Sequence, residues 1–167
     1  MLTYKRRYFL RKKEAKRFLR EIAEKENIDI INFLNLKFEV VELTFNHFIF
    51  LINGHPSFIK SDIVFPTLIN DYVLNQFSTL TVDMGAVPYI CNGADVMAPG
   101  IVKVDGSFKI DDLVVILDEN FSKKIALCKV LYNSIKISEK KHGKVAINLH
   151  YVNDKYWEAF KKISKRT

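Results

Sequence analysis

VDMGAVPYICNGADVMAPGIVKVD, residues 82–105, gathers Gly85, Gly93, Gly100, Pro88 and Pro99 among small and apolar residues, in a chain with only six glycines and four prolines in all. Glycine admits backbone conformations and close approaches that a Cβ forbids, and proline fixes φ, so a cluster of both marks turns between short elements. Val82-Asp83 ends a strand, Asp83 suits a helix N-cap, and MGAVPYICNG reads as one short helix stopped at Asn92-Gly93. Pro99-Gly100 then turns the chain into the next strand. Gly85, in the first turn of that helix, leaves room for another backbone to reach the N–H groups there. Turn geometry alone also accounts for these glycines, and on the residues both readings stand. The segment carries neither GxGxxG after a strand nor GxxxxGK[ST], so it is not a nucleotide phosphate loop.

Downstream, STLTVD, IVKVD, DLVVILDE, KKIALCKVLYNS and VAINLHYV alternate or run apolar at strand length, broken by Gly106, ENFSKK and SEKKHG. So many short strands predict a small, partly open β-barrel, with DKYWEAFKKI as an amphipathic turn or helix after it. Upstream, KFEVVEL (37–43) and HFIFLI (47–52) read as strands, and Asn53-Gly54 ahead of SFIK predicts a hairpin with a type I′ turn. Pro66 is expected to open a helix over PTLINDYVLNQF, with the domain boundary near Phe77 to Thr79. Between Arg11 and Lys25, Ala15, Phe18, Leu19 and Ile22 recur at spacings of three and four, which predicts an amphipathic helix. Its opposite face carries Lys13, Lys16, Arg17 and Arg20.

With 167 residues, 49% of them hydrophobic and 13% aromatic, the chain can bury a real core and suits one domain of ordinary size or two small ones, of which two small ones is the expectation. Residues 1–25 hold ten Lys/Arg and three acids, while the remaining sixteen basic and sixteen acidic residues cancel, so the whole formal charge of +7 sits at one end. Such an end attracts phosphates, of nucleic acid or of a membrane surface. The longest apolar runs, FIFLI and LVVIL, fall far short of the roughly 20 residues that span a bilayer. The basic N-terminus lacks a signal-peptide apolar core, so the expectation is a cytoplasmic protein. Cys91 and Cys128 lie in apolar surroundings without CxxC or Cys/His spacing and read as core thiols, with no metal site or disulfide framework indicated.

The order VDxGAxxYIxNGADVMAPGI, then strands, then INLHYVND closely resembles the PUA domain, an RNA-binding fold, over residues 79–154. Upstream, ING at 52–54 and FPTLINDY at 65–72 resemble the domain that precedes PUA in the malignant T-cell amplified sequence and ligatin group of translation factors, and archaea carry similar two-domain proteins. The first 35 residues match much less well. The resemblance implies an α+β protein: an N-terminal pre-PUA α/β module with the basic helix over 1–77, a C-terminal PUA β-pseudobarrel over 78–155, and a C-terminal tail over 156–167. It also implies where RNA lies, against the short helix, the strand after it and the closing strand. By position Gly85 and Ala86 would allow close approach, Tyr89, Asn92, Val96 and Met97 would line the surface, and Lys103 would meet a phosphate. Asn148, His150 and Tyr151 would come from the closing strand. Each has a plain packing alternative: Val96 and Met97 in the core, His150 and Tyr151 as filler, Lys103 as a solvated lysine.

The function so implied is recognition of structured RNA, ribosomal RNA or tRNA, without catalysis, in translation initiation or ribosome recycling. The partners implied are that RNA, the small ribosomal subunit and a second translation factor, with no membrane and no cofactor or metal. The alternative is an RNA-binding accessory subunit for tRNA or rRNA modification or for ribosome biogenesis. Catalysis by the chain itself is disfavoured: there is no nucleophile elbow, HExxH or paired-carboxylate pattern, and the histidines, at 47, 55, 142 and 150, fall in separate elements. A third reading makes the basic helix a dock for an acidic partner or a membrane surface.

Overall fold

In the computed structural model, which describes residues 2–164, the chain forms two compact units, one running up to Gln76 and including the segment from Glu158, the other Phe77–Trp157. Among the described residues the first unit holds a five-stranded antiparallel sheet in the order β1 (Tyr4–Phe9), β2 (Phe38–Leu43), β3 (Phe48–Ile52), β4 (His55–Lys60) and β5 (Val64–Pro66). Helix α1 (Lys12–Glu26) buries Ala15, Leu19 and Ile22, and Phe18 stacks on Phe50 of β3 at 3.9 Å between ring centres. Glu14 accepts the Arg11 N–H at the helix start, and Asn27 ends the helix in the left-handed region at φ 52°. Asn53 and Gly54 have φ of 50° and 83°, so the two-residue turn between β3 and β4 is of the expected type.

Two segments of this unit differ from the sequence-based expectation. Residues 4–9 form an edge strand although five of the six side chains are exposed, because β2 supplies its register and Glu42 and Glu39 pair with Arg6 and Arg7. Pro66 does not open a helix: it ends β5 opposite Phe58, at a sheet edge where a missing N–H costs nothing. The helix, α2 (Asp71–Leu74), starts one turn later, where the Asn70 side chain accepts the Val73 N–H and its amide donates to Ser57 O.

The second unit holds β6 (Thr79–Val82), α3 (Val87–Ile90), β7 (Val96–Met97), β8 (Ile101–Asp105), β9 (Leu113–Asp118), β10 (Lys124–Val130), α4 (Ser134–Glu139) and β11 (Lys144–Tyr151). Its strands pair in the order β7-β11-β10-β9-β6-β8 and curl into a half-barrel, with β6 and β9 parallel and the other neighbours antiparallel. The core is apolar, built on Leu80, Val82, Ile90, Val114, Ile116 and Val145. Helix α5 (Lys155–Ser164) follows, with Asp154 Oδ1 accepting the N–H of both Tyr156 and Trp157 at 2.9 Å, as an N-cap does.

Candidate nucleic-acid interface

The opening stretch folds into a turn at 83–86, one turn of helix (α3), and a second turn at 91–95. Asp83 Oδ1 accepts the Ala86 N–H at 2.8 Å and Glu119 Oε1 accepts the Met84 N–H at 2.9 Å. Gly85 is exposed, as close approach requires, but the N–H groups of its two chain neighbours are already held by carboxylates of the chain itself, so this turn is not the bare donor surface expected from the glycines. Ala86 is half-buried against the start of β8: a Cβ built on Gly100 would lie 3.0 Å from the Ala86 Cβ. Gly93 has φ 92° and lies against the Tyr151 side chain, whose atoms would stand 3.0 to 3.1 Å from a Cβ there, and Tyr151 also packs against the half-barrel core.

Asn148 and Asp95 fix the second turn between them. Asn148 Nδ2 donates to the carbonyls of Ile90 and Ala94, both at 3.0 Å, and Asp95 Oδ1 accepts the Asn148 N–H at 2.9 Å. Burial raises the Asp95 pKa, but the ion pair with Lys144 at 2.5 Å and the Asn148 N–H outweigh it and hold the carboxyl below its ordinary value. His150 is fully buried, with Nδ1 2.7 Å from Asp154 Oδ2 and its ring edge-on to Tyr156. Val96 is buried in the half-barrel core. Three expected surface residues are therefore corrected: Val96 and His150 face inward, and the Asn148 amide nitrogen is committed to the 90–95 turn while its Oδ1 is buried without a hydrogen-bond partner among the described residues.

What remains outward is Tyr89 at 71% exposure, Met97 at 49%, Asn92, Gly85 and Lys103. Lys103 lies on β8 with Nζ 2.8 Å from Asp105 Oδ2, a pairing that holds the Asp105 carboxyl below its ordinary pKa. It lines a trough of about 330 Å³ whose other side is α4 and the residues after it. Lys140 and Lys141 complete that trough, with Pro99 and Val102 among its apolar lining, and Lys140 Nζ lies 4.6 Å from the Tyr132 ring. Sequence reasoning missed both lysines because SEKKHG read as an interruption, whereas 134–139 is a helix capped by Asn133 Oδ1 on the Lys136 N–H. The KK pair was the available signal.

A second feature was also missed. Buried Asp118 accepts the N–H groups of Phe121, Lys123 and Asn120, which holds its pKa down and fixes the tip of the β9–β10 hairpin. Phe121 stands 72% exposed on that tip, with Lys123 Nζ 5.6 Å from its ring.

In the first unit Lys13, Arg17 and Arg20 are exposed on α1 and Lys16 is half-buried, with Arg17 Nε 3.2 Å from Glu21. The apolar side of α1 is consumed by the core, so it offers no face for insertion into a membrane. No helix among the described residues is long and apolar enough to cross one. Burial raises the pKa of both thiols, that of Cys128 far above its ordinary value, which disfavours the thiolate. Among the described residues no group of three or more His, Cys, Asp or Glu side chains could hold a metal ion.

Residues 78–152 match the PUA domain, and residues 6–74 match a domain of unknown function, DUF1947. An uncharacterized protein of Methanocaldococcus jannaschii is 40% identical over 159 residues, covering 93% of this chain and 98% of that one. The translation machinery-associated protein 20 of Eremothecium gossypii is 27% identical over 60% of this chain and 59% of its own length. The malignant T-cell-amplified sequence 1 of Rattus norvegicus is 35% identical over 46% of this chain and 43% of its own. A conserved PUA domain protein from Thermoplasma acidophilum has the same fold, with a TM-score of 0.77 at 29% identity over 93% of this chain and 99% of that one. The chain therefore belongs to the two-domain PUA proteins, fitting the malignant T-cell-amplified-sequence group, with a DUF1947 module ahead of its PUA domain.

Proposed function

We infer that this chain is a non-catalytic RNA-binding protein of translation, which holds folded RNA, ribosomal RNA or tRNA, along the trough between β8 and α4. The observation that carries the reading is the convergence of Lys103, Lys140 and Lys141 on one open groove of the PUA unit, which Pro99 and Val102 also line. Folded RNA presents phosphates and 2′-hydroxyls more readily than base edges, and three ammonium groups along one groove suit that surface. Tyr89 and Phe121 add exposed aromatic faces that suit a splayed base, and Met97 adds exposed apolar surface. The step proposed is initiation or recycling on the small ribosomal subunit, in the cytoplasm and alongside a second factor; the name borne by the Eremothecium relative supports association with the translation machinery and no finer step.

The test is a salt titration of the full chain with labelled tRNA and with a small-subunit rRNA fragment. Log K falls linearly with log[salt], and K103A/K140A/K141A flattens the slope by about 2 to 3, at roughly 0.7–0.9 for each phosphate no longer neutralised. Affinity that ignores salt, or a triple variant that binds as the parent does, overturns the reading.

A further inference from the structure

The DUF1947 unit has a notch of its own. A cavity of about 200 Å³ opens between the first turns of α1 and the loop ahead of β2, walled by Leu10, Leu19 and Leu34. Lys12, Lys16 and Lys37 stand around it, and none of the three has an ion-pair partner among the described residues. Phe9, 67% exposed, and Leu36, 39% exposed, form its lip. An apolar hole ringed by unpaired cations calls for a ligand that is flat and apolar where it enters and anionic where it stays outside.

The volume lies below the roughly 300–1,000 Å³ of pockets that take drug-sized ligands, which suits a single planar ring better than an acyl chain or a helix. Lys13, Arg17 and Arg20 continue the positive track along the exposed face of α1, so the anionic part extends beyond one group. A nucleobase with its neighbouring phosphates has this chemistry, and an exposed phenylalanine is a stacking platform for it.

We propose that this notch is a second RNA site, a socket for one unstacked base of a single-stranded segment, with Phe9 stacking on the base and Lys12, Lys16 and Lys37 on the flanking phosphates. It rests on the RNA-binding reading above and extends it to a different RNA form: the trough takes a folded backbone, the socket a single strand.

The test uses fluorescence anisotropy of the full chain with a short single-stranded RNA and the same strand made abasic, beside phosphatidylserine vesicles and polyglutamate. The parent prefers the base-bearing strand. F9A weakens that binding about tenfold, the size of one base–aromatic contact, and erases the preference, while F9W restores it. K12A/K16A/K37A flattens the salt dependence on both strands by about 2. Because Phe9 is mostly exposed, a thermal midpoint close to the parent's shows that F9A still folds. Equal parental affinity for the two strands, unchanged binding by F9A, or F9A losing only vesicle or polyglutamate binding overturns the socket. If K103A/K140A/K141A abolishes tRNA binding while F9A leaves single strands untouched, the socket fails alone. If neither variant alters RNA binding, the broader reading fails with it.

Discussion

Asn148 and Asp95 exchange support across a single turn: Asp95 Oδ1 takes the Asn148 N–H at 2.9 Å, while the Asn148 amide group holds the carbonyl at residue 94 at 3.0 Å. This turn follows α3, the helix that carries exposed Tyr89. Asn148→Ala removes both amide hydrogen bonds and leaves the Ile90 carbonyl without that donor, at an expected cost of about 1 to 3 kcal/mol. Denaturant unfolding measures it, and an unchanged midpoint would rule out the clamp.

The Asp95 carboxyl titrates lower in the folded chain than in the unfolded one, since Lys144 and the Asn148 N–H outweigh its burial. A group with a depressed folded pKa contributes stability above its unfolded value, near 3.9 for Asp, and that contribution is lost as pH falls through the folded value. Asp118 acts in the same sense through its backbone donors. Stability is therefore expected to hold near neutrality and to fall below about pH 4, and Asp95→Asn should flatten part of that fall. Parallel acid unfolding curves for parent and variant would contradict this.

Gly93 and Gly54 both have positive φ, but a Cβ at Gly54 meets open space while one at Gly93 meets the Tyr151 ring. Gly54→Ala should cost about 1 kcal/mol for the left-handed backbone alone. Gly93→Ala adds displacement of Tyr151 and should cost clearly more. Paired thermal melts compare the two, and equal shifts would show that the ring yields freely.

Lys103 is partly neutralised by Asp105 at 2.8 Å. Asp105→Asn frees the ammonium and removes a negative charge beside the trough, so tRNA affinity should rise several-fold at low salt and converge with the parent's at high salt. A fall in affinity would place the RNA elsewhere.

The legible parts of the fold were those with strong local chemistry. Asn53-Gly54 forces its turn, the Ala15-to-Ile22 spacing forces its helix, and the strands of the PUA unit alternate, as β6 does, or run apolar at strand length, as β9 and β10 do. The parts that escaped depend on partners. β1 buries none of its six side chains fully and exists through pairing with β2, and α4 buries only Ile137. In the site, motif order identified the domain while hiding roles: His150 and Asn148 serve the fold through Asp154 and the 90–95 turn, so their place in the motif reflects construction, and Lys140 and Lys141 lie outside it altogether.

Asp83 and Glu119 occupy the donors on either side of Gly85 before any ligand arrives. A solitary anion, such as inorganic phosphate or a free nucleotide, must evict a tethered carboxylate whose local abundance it cannot match. The turn at Gly85 thus presents an exposed main chain whose flanking donors the fold has already satisfied.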